Sequence, residues 1–282
     1  MPDQALSNIK VLDFTQHLAG PYCTKLMAGQ GADVIKVERP ETGDLARRLG
    51  PYPGDVPHPE KSGLFLHLNI NKRSITLDLE NPEGRELFKR LAATSDFVLE
   101  SFTPGYLDGL GLGYEGLSHI NPGIILTSMT PFGQRGPYAR YKATDIVAWS
   151  MGGMQYITGD PDRPPVRVAV PQAELHAGAQ GTTGSMIALW HRHNTGLGQH
   201  VDVSTQVAVI WTLMHATPFP PLHRENVERW GAYHKGDSFM VRAVFPCKDG
   251  YVSATLWEGA TLKALIRWMD EEGVTPELLR GR

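Results

Sequence analysis

The sequence is poor in cysteine and has no long apolar run. Its 282 residues include only two cysteines, Cys23 and Cys247. A disulfide framework would need more, so the composition favours a reducing compartment and predicts a cytoplasmic protein. The first ten residues lack a basic stretch followed by an apolar one, so no signal peptide is expected. The longest apolar stretch, residues 207–214, is far shorter than the roughly 18 residues of a membrane span.

Strong net charge and metal-binding motifs are also missing. The formal net charge is -3, which gives no general attraction for nucleic acid or anionic membranes. The eleven histidines are scattered, and no H-E-x-x-H, C-x-x-C or phosphate-loop pattern occurs, so no metal site is predicted. Gly111, Gly113 and Gly116 match G-x-G-x-x-G, but no strand directly precedes them, which indicates a turn. Any anionic ligand must therefore be bound by a few local cations.

Strand and helix patterns alternate along the first three quarters of the chain. Hydrophobic residues make up 41% of the sequence, enough for a sizeable core. The predicted strands are residues 10–14, 33–38, 75–79, 97–100, 124–128 and 201–203. The predicted helices are residues 21–29, 174–193, 204–215 and one beginning at Pro82 behind an Asn81 cap. This order predicts an α/β fold, with a Rossmann-like large domain built on a parallel sheet.

A change in composition near residue 216 predicts a domain boundary. Residues 1–215 form the predicted large domain, and the proline-rich residues 216–228 are interpreted as a linker. Residues 229–282 look like the start of a smaller α+β domain, apparently truncated. Its expected elements are strands at residues 239–245 and 250–256 and a helix at residues 260–272.

Four segments in order carry a specific resemblance. They contain LDFTQHLAGPYC (within residues 12–44), NKRSITLDL (71–91), ESFTPGYLDGL (100–138) and HRHNTGLGQHVDVS (191–204). Together they resemble the class III CoA-transferase family of the CaiB/BaiF type, which is related to formyl-CoA transferase and alpha-methylacyl-CoA racemase. The resemblance runs from about residue 9 to about 215 and continues weakly over residues 245–256. It implies that the chain binds acyl-CoA as a substrate and holds no permanent cofactor.

The resemblance also implies a set of residues that line the CoA site. They are His17, Leu18, Ala19, Arg39, Lys72, Arg73, Ser101, Phe102 and Lys142. Guanidinium and ammonium groups suit the phosphates of CoA. Arg39 directly follows the strand of residues 33–38, and α/β sheets present ligand contacts where strands end. Each cation taken alone would be interpreted as an ordinary surface charge, whereas the set inside matching segments favours CoA binding.

The nucleophile of the family is an aspartate just before a glycine-containing helix, and the matching position here is Glu174. Gly178 keeps the expected glycine four residues later, while the acid is longer by one methylene. In the family this carboxylate attacks the thioester, forms a mixed anhydride and then an enzyme thioester, so CoA moves between acids without ATP. The competing interpretation is an acid that only stabilises the start of a helix.

Two further activities stay open at this point. The racemase branch carries a histidine directly before the aspartate of KATDIVAW, whereas this chain has Thr144 before Asp145. Threonine cannot act as a base at neutral pH, which argues against racemisation. Asp145 is predicted to support the site by hydrogen bonding, and a structural role at the start of a helix is equally compatible. An acyl-CoA racemase or epimerase and a non-catalytic CoA-binding subunit of a heteromeric transferase remain alternatives. Members of the family are longer, and they form interlocked dimers, so a homodimer or a heteromer with a related subunit is expected.

Overall fold

The computed structural model describes residues 4–235, 240–254 and 260–274. The chain divides into two compact units, one of Met1–Gln155 with Arg167–Asn226 and one of Tyr156–Val166 with Val227–Arg282. Residues 156–166 thus belong with the second unit, and most of the predicted linker belongs with the first. Residues 236–239, 255–259 and 275–282 of the predicted small domain lie outside the described residues. The boundaries derived from the sequence stay a prediction.

The first unit is built on a six-stranded parallel sheet in the order β3-β2-β1-β4-β5-β6. Its strands are β1 (Lys10–Asp13), β2 (Asp33–Glu38), β3 (Lys72–Thr76), β4 (Phe97–Glu100), β5 (Ile125–Thr130) and β6 (His200–Ser204). This is the strand order of a doubly wound dinucleotide-binding fold, and the predicted α/β, Rossmann-like sheet is confirmed. The order reverses direction between β1 and β4, which makes that junction the switch point of the topology.

Helices connect and cover these strands. They are α1 (Ala19–Gly29), α2 (Gly63–Leu68), α3 (Pro82–Ala92), α4 (Tyr106–Gly109), α5 (Tyr114–Ile120), α6 (Asp145–Met151), α7 (Gln172–Thr195), α8 (Thr205–Thr212) and α9 (Phe219–His223). The start of α3 agrees with its sequence signal, because the Asn81 side chain accepts a hydrogen bond from the backbone N–H of Glu83. Helix α9 falls inside the segment interpreted as a linker.

One strand was placed incorrectly from its pattern. The alternation of residues 75–79 predicted a strand there, but β3 begins at Lys72 and ends at Thr76. The backbone of β2 decides this, since Val34 pairs with Lys72 and Glu38 pairs with Thr76. Ile75 is 37% exposed, so the strand does not bury the side chain that the alternation had turned inward.

The core lies on both faces of the sheet. One cluster joins the sheet to α1 and α7 and includes Val11, Met27 and Ala177; the other joins it to α3 and includes Leu12 and Phe88. Helix α7 approaches the segment at the start of α1 closely at Gly178. A Cβ on Gly178 would stand 2.5 Å from the Ala19 carbonyl oxygen, so only glycine lets the two segments meet.

The second unit holds shorter elements. Its strands are β7 (Tyr233–Lys235), β8 (Met240–Arg242), β9 (Val244–Cys247) and β10 (Gly250–Ser253), and its helix is α10 (Ala260–Glu271). Strands β7 and β8 pair antiparallel, as do β9 and β10. Across the described residues of both units, the helices are too short or too polar to cross a membrane.

Candidate active site

A cavity of about 370 Å³ opens in the first unit where the parallel strands end. It is lined by residues that follow β1, β4 and β5, so it borders the switch point. The lining residues are Gln16, His17, Ala19, Leu45, Ser101, Phe102, Thr103, Met129, Thr130, Pro131, Ala143, Thr144, Asp145, Ala148, Glu174 and Thr205. Open α/β sheets bind ligands at this place, so the fold and the cavity indicate the same site.

Glu174 enters this cavity from the first turn of α7, with 18% of its side chain exposed. Its own backbone N–H donates to Asp145 Oδ1 at 3.1 Å. Helix α7 has no side-chain cap of its own at Pro171, so the Asp145 carboxylate supplies one from α6. Burial raises the pKa of Asp145 and the nearby Glu174 charge raises it further, while the N–H groups of Glu174 and Ala173 lower it.

His17 contacts the Glu174 carboxylate directly. The distance from His17 Nδ1 to Glu174 Oε2 is 2.8 Å, and 38% of the histidine side chain is exposed. The hydrogen bond to Glu174 raises the pKa of His17 although burial lowers it, and the charges of Asp44 and Asp145 raise it further. The contact with the Glu174 carboxylate therefore favours the imidazolium form of His17 over the neutral imidazole.

The backbone of His17 is left-handed, with φ at 71°. Such a conformation costs a non-glycine residue about 1–2 kcal/mol, and it persists only where neighbours enforce it. Here the His17 N–H donates to Asp44 Oδ1 at 2.9 Å. Asp44 in turn pairs with Lys36 Nζ at 2.7 Å.

The loop after β2 holds Asp44 in place. The Asp44 N–H donates to Glu38 Oε2 at 2.8 Å, and Arg47 donates to both oxygens of Glu38 at 2.7 and 2.8 Å. The Arg47 guanidinium also stacks 3.7 Å from the centre of the Phe65 ring. A buried polar scaffold thus fixes the backbone that aims His17 at Glu174.

A second cavity, of about 240 Å³, adjoins the first. Both are lined by Gln16 and Phe102, and Arg39 lines the second one at the end of β2. Arg39 is the basic residue among the described residues that line the second cavity, and Glu38, Asp78 and Glu80 are the acidic ones.

The structure brings six of the predicted residues to the first cavity: His17, Ala19, Ser101, Phe102, Asp145 and Glu174. Leu18 is buried beside them at 4% exposure. Lys142 is exposed and directly precedes Ala143 of the cavity wall.

Two predicted cations are not brought to these cavities. The Lys72 ammonium is 1% exposed and donates to Asp13 Oδ2 at 3.0 Å, to the Pro21 carbonyl at 3.0 Å and to Asn69 Oδ1 at 2.8 Å. Arg73 forms a two-pronged pair with Asp33, at 2.9 and 2.6 Å, beside the start of β2 and away from the strand ends. In this arrangement both cations have protein partners in place of a phosphate.

Sequence reasoning missed the contacts that organise the site. Asp44 was only the last residue of a matching segment, and nothing marked it as the acceptor for His17. His17 itself was assigned to the CoA site, not to Glu174. The two residues are 157 positions apart, so no local pattern could have joined them.

Comparison with known proteins agrees with this geometry. A model of CoA-transferase family III matches residues 6–279. The chain belongs to CoA-transferase family III. The predicted resemblance is thereby confirmed.

Several curated members of the family are similar to this chain. It is 40% identical over 274 residues to the succinyl-CoA:(R)-benzylsuccinate CoA-transferase subunit BbsE of Thauera aromatica, covering 96% of this chain and 65% of the relative. It is 36% identical to the succinyl-CoA:glutarate CoA-transferase of Homo sapiens, covering 88% of this chain and 55% of that protein. The chain thus spans just over half to about two thirds of the length of these relatives.

Solved structures of the family share the fold. A CaiB/BaiF family protein from Brucella suis is 36% identical with a TM-score of 0.79, covering 88% of this chain and 65% of that one. The protein Rv3272 from Mycobacterium tuberculosis is 27% identical with a TM-score of 0.80, covering 100% of this chain and 72% of that one.

Proposed function

We propose that this chain carries out acyl-CoA:carboxylate CoA transfer, with Glu174 as the covalent nucleophile. The observation that carries the proposal is the Glu174 carboxylate itself, which lines the cavity at the first turn of α7. Membership of CoA-transferase family III supports the reaction class. The whole reaction, its substrates and its partners are proposals, because the chain spans only part of its relatives.

The chemistry balances without ATP or metal. A Glu174 oxygen attacks the acyl carbon of the donor thioester, and CoA leaves as thiolate, which gives a mixed anhydride. The thiolate attacks the Glu174 carbonyl carbon, which releases the first acid and leaves a Glu174–CoA thioester. The acceptor carboxylate attacks that thioester and expels the thiolate, and the thiolate then attacks the acceptor acyl carbon of the second anhydride. Acyl-CoA leaves, and the Glu174 carboxylate is restored.

The geometry offers a physical role to several side chains. The N-terminus of α7 favours negative charge at Glu174, both on the carboxylate and on the oxyanions formed from it. Arg39 in the adjoining cavity is proposed to bind a phosphate of CoA, with Phe102 and Ser101 along the path between. Lys142 at the cavity rim is a further candidate phosphate ligand. Lys72 and Arg73 form ion pairs with Asp13 and Asp33, and these pairs favour a structural role for both cations.

The decisive variant is Glu174→Gln, which removes the nucleophile but keeps the size of the side chain. With succinyl-CoA as donor, since two of the relatives above act on it by name, the unaltered chain should form a hydroxylamine-sensitive CoA adduct and Glu174→Gln should form none. Loss of covalent catalysis typically costs well over a thousandfold in rate (on the order of 10⁴ or more). Intact-mass analysis measures the adduct.

A matched control is Glu83→Gln, which makes the same change in the exposed first turn of α3 and should leave the adduct unchanged. Undiminished transfer by Glu174→Gln would sink the assignment.

A second candidate is a CoA-binding subunit that acts only with a related chain. The specific observation that favours it is the word subunit in the names of two relatives, BbsE and the beta subunit of a succinyl-CoA–L-malate CoA-transferase from Chloroflexus aurantiacus. Such a subunit would bind acyl-CoA with no adduct of its own, and mixing with the partner chain would restore transfer. Exchange of deuterium at the acyl α-carbon would instead indicate a racemase.

A further inference from the structure

His17 is the basic group of the Glu174 cavity. Among the described residues that line that cavity, it is the only one with a basic side chain, and Asp145 and Glu174 are the acidic ones. With 38% of its side chain exposed, the imidazole is open to a ligand as well as to Glu174. Burial of a ligand carboxylate in such a cavity requires a positive partner.

The proposed reaction conserves one negative charge at this place. At the start, Glu174 carries the charge and His17 pairs with it at 2.8 Å. When Glu174 becomes a CoA thioester it is neutral, and the charge has moved to the released acid. The acceptor brings an identical charge back, and the last step returns it to Glu174. The imidazolium therefore loses its partner whenever the enzyme waits for a free carboxylate.

On the basis of the proposed function, we propose that His17 binds the free carboxylate substrate: it is the counter-ion of Glu174 in the resting enzyme and of the acceptor acid in the thioester enzyme. The ligand is a carboxylic acid in its ionised form. A charge-assisted hydrogen bond from imidazolium to carboxylate supplies the recognition.

The surroundings of His17 support this exchange of partners. Its backbone is fixed by the Asp44 contact of 2.9 Å, so the ring stays in the cavity when Glu174 is no longer a carboxylate. The charged groups that act on the ring are Glu174 on α7, Asp44 in the loop after β2 and Asp145 on α6. When Glu174 becomes a neutral thioester, the ring loses the charged group in direct contact with it, and an acceptor carboxylate takes that place.

The test separates the two half-reactions in the full chain. Succinyl-CoA is mixed with the enzyme and the rate of adduct formation is followed by intact mass. The isolated adduct is then mixed with labelled succinate, and the rate of labelled succinyl-CoA formation is measured. Succinate serves as acceptor because it is the product of the first half-reaction, so the native acceptor need not be known.

The variant is His17→Asn, since asparagine tolerates a left-handed backbone but is too short to keep the contact. The second-order rate constant of the adduct with succinate should fall about tenfold or more, the worth of a charge-assisted hydrogen bond. The rate of adduct formation should change by less than about threefold, because in His17→Asn the Glu174 carboxylate is released from its contact with His17 and stays available to attack the thioester. In the unaltered enzyme, the succinate step should slow as pH rises and His17 loses its proton, whereas in His17→Asn it should not.

Controls keep the outcome clear. The ratio of the two rates comes from one sample and does not depend on the fraction that is folded, and His17→Gln gives a second, longer substitute. His193→Asn changes an exposed histidine on α7 and should leave both rates unchanged. Equal losses in both half-reactions, or no change in either, overturn the role of His17 while the adduct upholds the proposed function. Absence of any adduct in the unaltered enzyme overturns both.

Discussion

Asp13 and Glu100 are carboxylic acids buried on the neighbouring strands β1 and β4, yet they lie in opposite electrostatic surroundings. Asp13 is 0% exposed and Glu100 is 5% exposed. Asp13 pairs in register with Leu99, so Glu100 is one residue further along the adjacent strand. Burial alone would raise the pKa of both.

Nearby cations explain why the pKa values of Asp13 and Glu100 shift in opposite directions. Lys36 and Lys72 lie 3.9 and 3.0 Å from Asp13, and Thr15 and Thr24 donate to it, so its pKa falls well below the usual range in spite of burial. Within the described part of the chain Glu100 has no ion pair; Ser128 and the Phe102 N–H are its hydrogen-bond partners, and burial raises its pKa to about 7. Asp13 is therefore charged at neutral pH and has a structural role. Glu100 changes its charge near pH 7, and in the sequence it directly precedes Ser101 and Phe102 of the site.

The largest effect should follow from breaking the charged cluster. Asp13→Asn leaves two buried ammonium groups, Lys36 and Lys72, without their shared carboxylate. Breaking a buried ion pair in this way costs about 3–5 kcal/mol in the free energy of unfolding. Urea unfolding at pH 7 measures it, and a loss below about 1 kcal/mol would contradict the assigned role of Asp13.

Glu100→Gln should remove a pH dependence. The folded-state pKa of about 7 lies above the usual value of 4.5, so the folded protein binds the extra proton between these pH values. The proton on Glu100 stabilises the folded protein, and this contribution is complete below pH 4.5 and lost as pH rises through 7. The loss is about 3 kcal/mol in the free energy of unfolding, since a tenfold change in proton affinity is worth about 1.4 kcal/mol.

Unfolding measured from pH 4.5 to 8 should therefore show a weaker slope in Glu100→Gln, with the variant the more stable protein at the alkaline end. Glu115→Gln, a change at an exposed acid in the first turn of α5, is the matched control and should keep the slope of the unaltered protein. A slope that survives in Glu100→Gln would show that another group titrates.

The smallest effect is expected at the exposed pair of Arg73 and Asp33, whose side chains are 65% and 44% exposed. Arg73→Ala should lower the free energy of unfolding by about 1 kcal/mol or less, and added salt should reduce even that. The same urea titration at low and high salt measures it. A loss as large as that of Asp13→Asn would show that burial does not set the difference in strength between this exposed pair and the buried ion pairs of Asp13.

Much of the first unit could be predicted from local signals. β2 and β4 were predicted to the residue and α3 from its cap, because apolar runs and capping residues act over a few positions. The strand β3 was misplaced, since pairing with β2 outweighed the alternation of residues 75–79. Glu174 was located from the motif around it, and α7 does bring its side chain to the cavity.

The sequence by itself determined the alternation of strands and helices, the family and the acid at the start of α7. Only the tertiary structure decided what each charged side chain meets. Lys72 was expected to face a phosphate but reaches Asp13, 59 positions away, and His17 meets Glu174 across 157 positions. A side chain's charge and role depend on burial and on partners within a few ångströms, and those partners come from segments that only the folded sheet brings together.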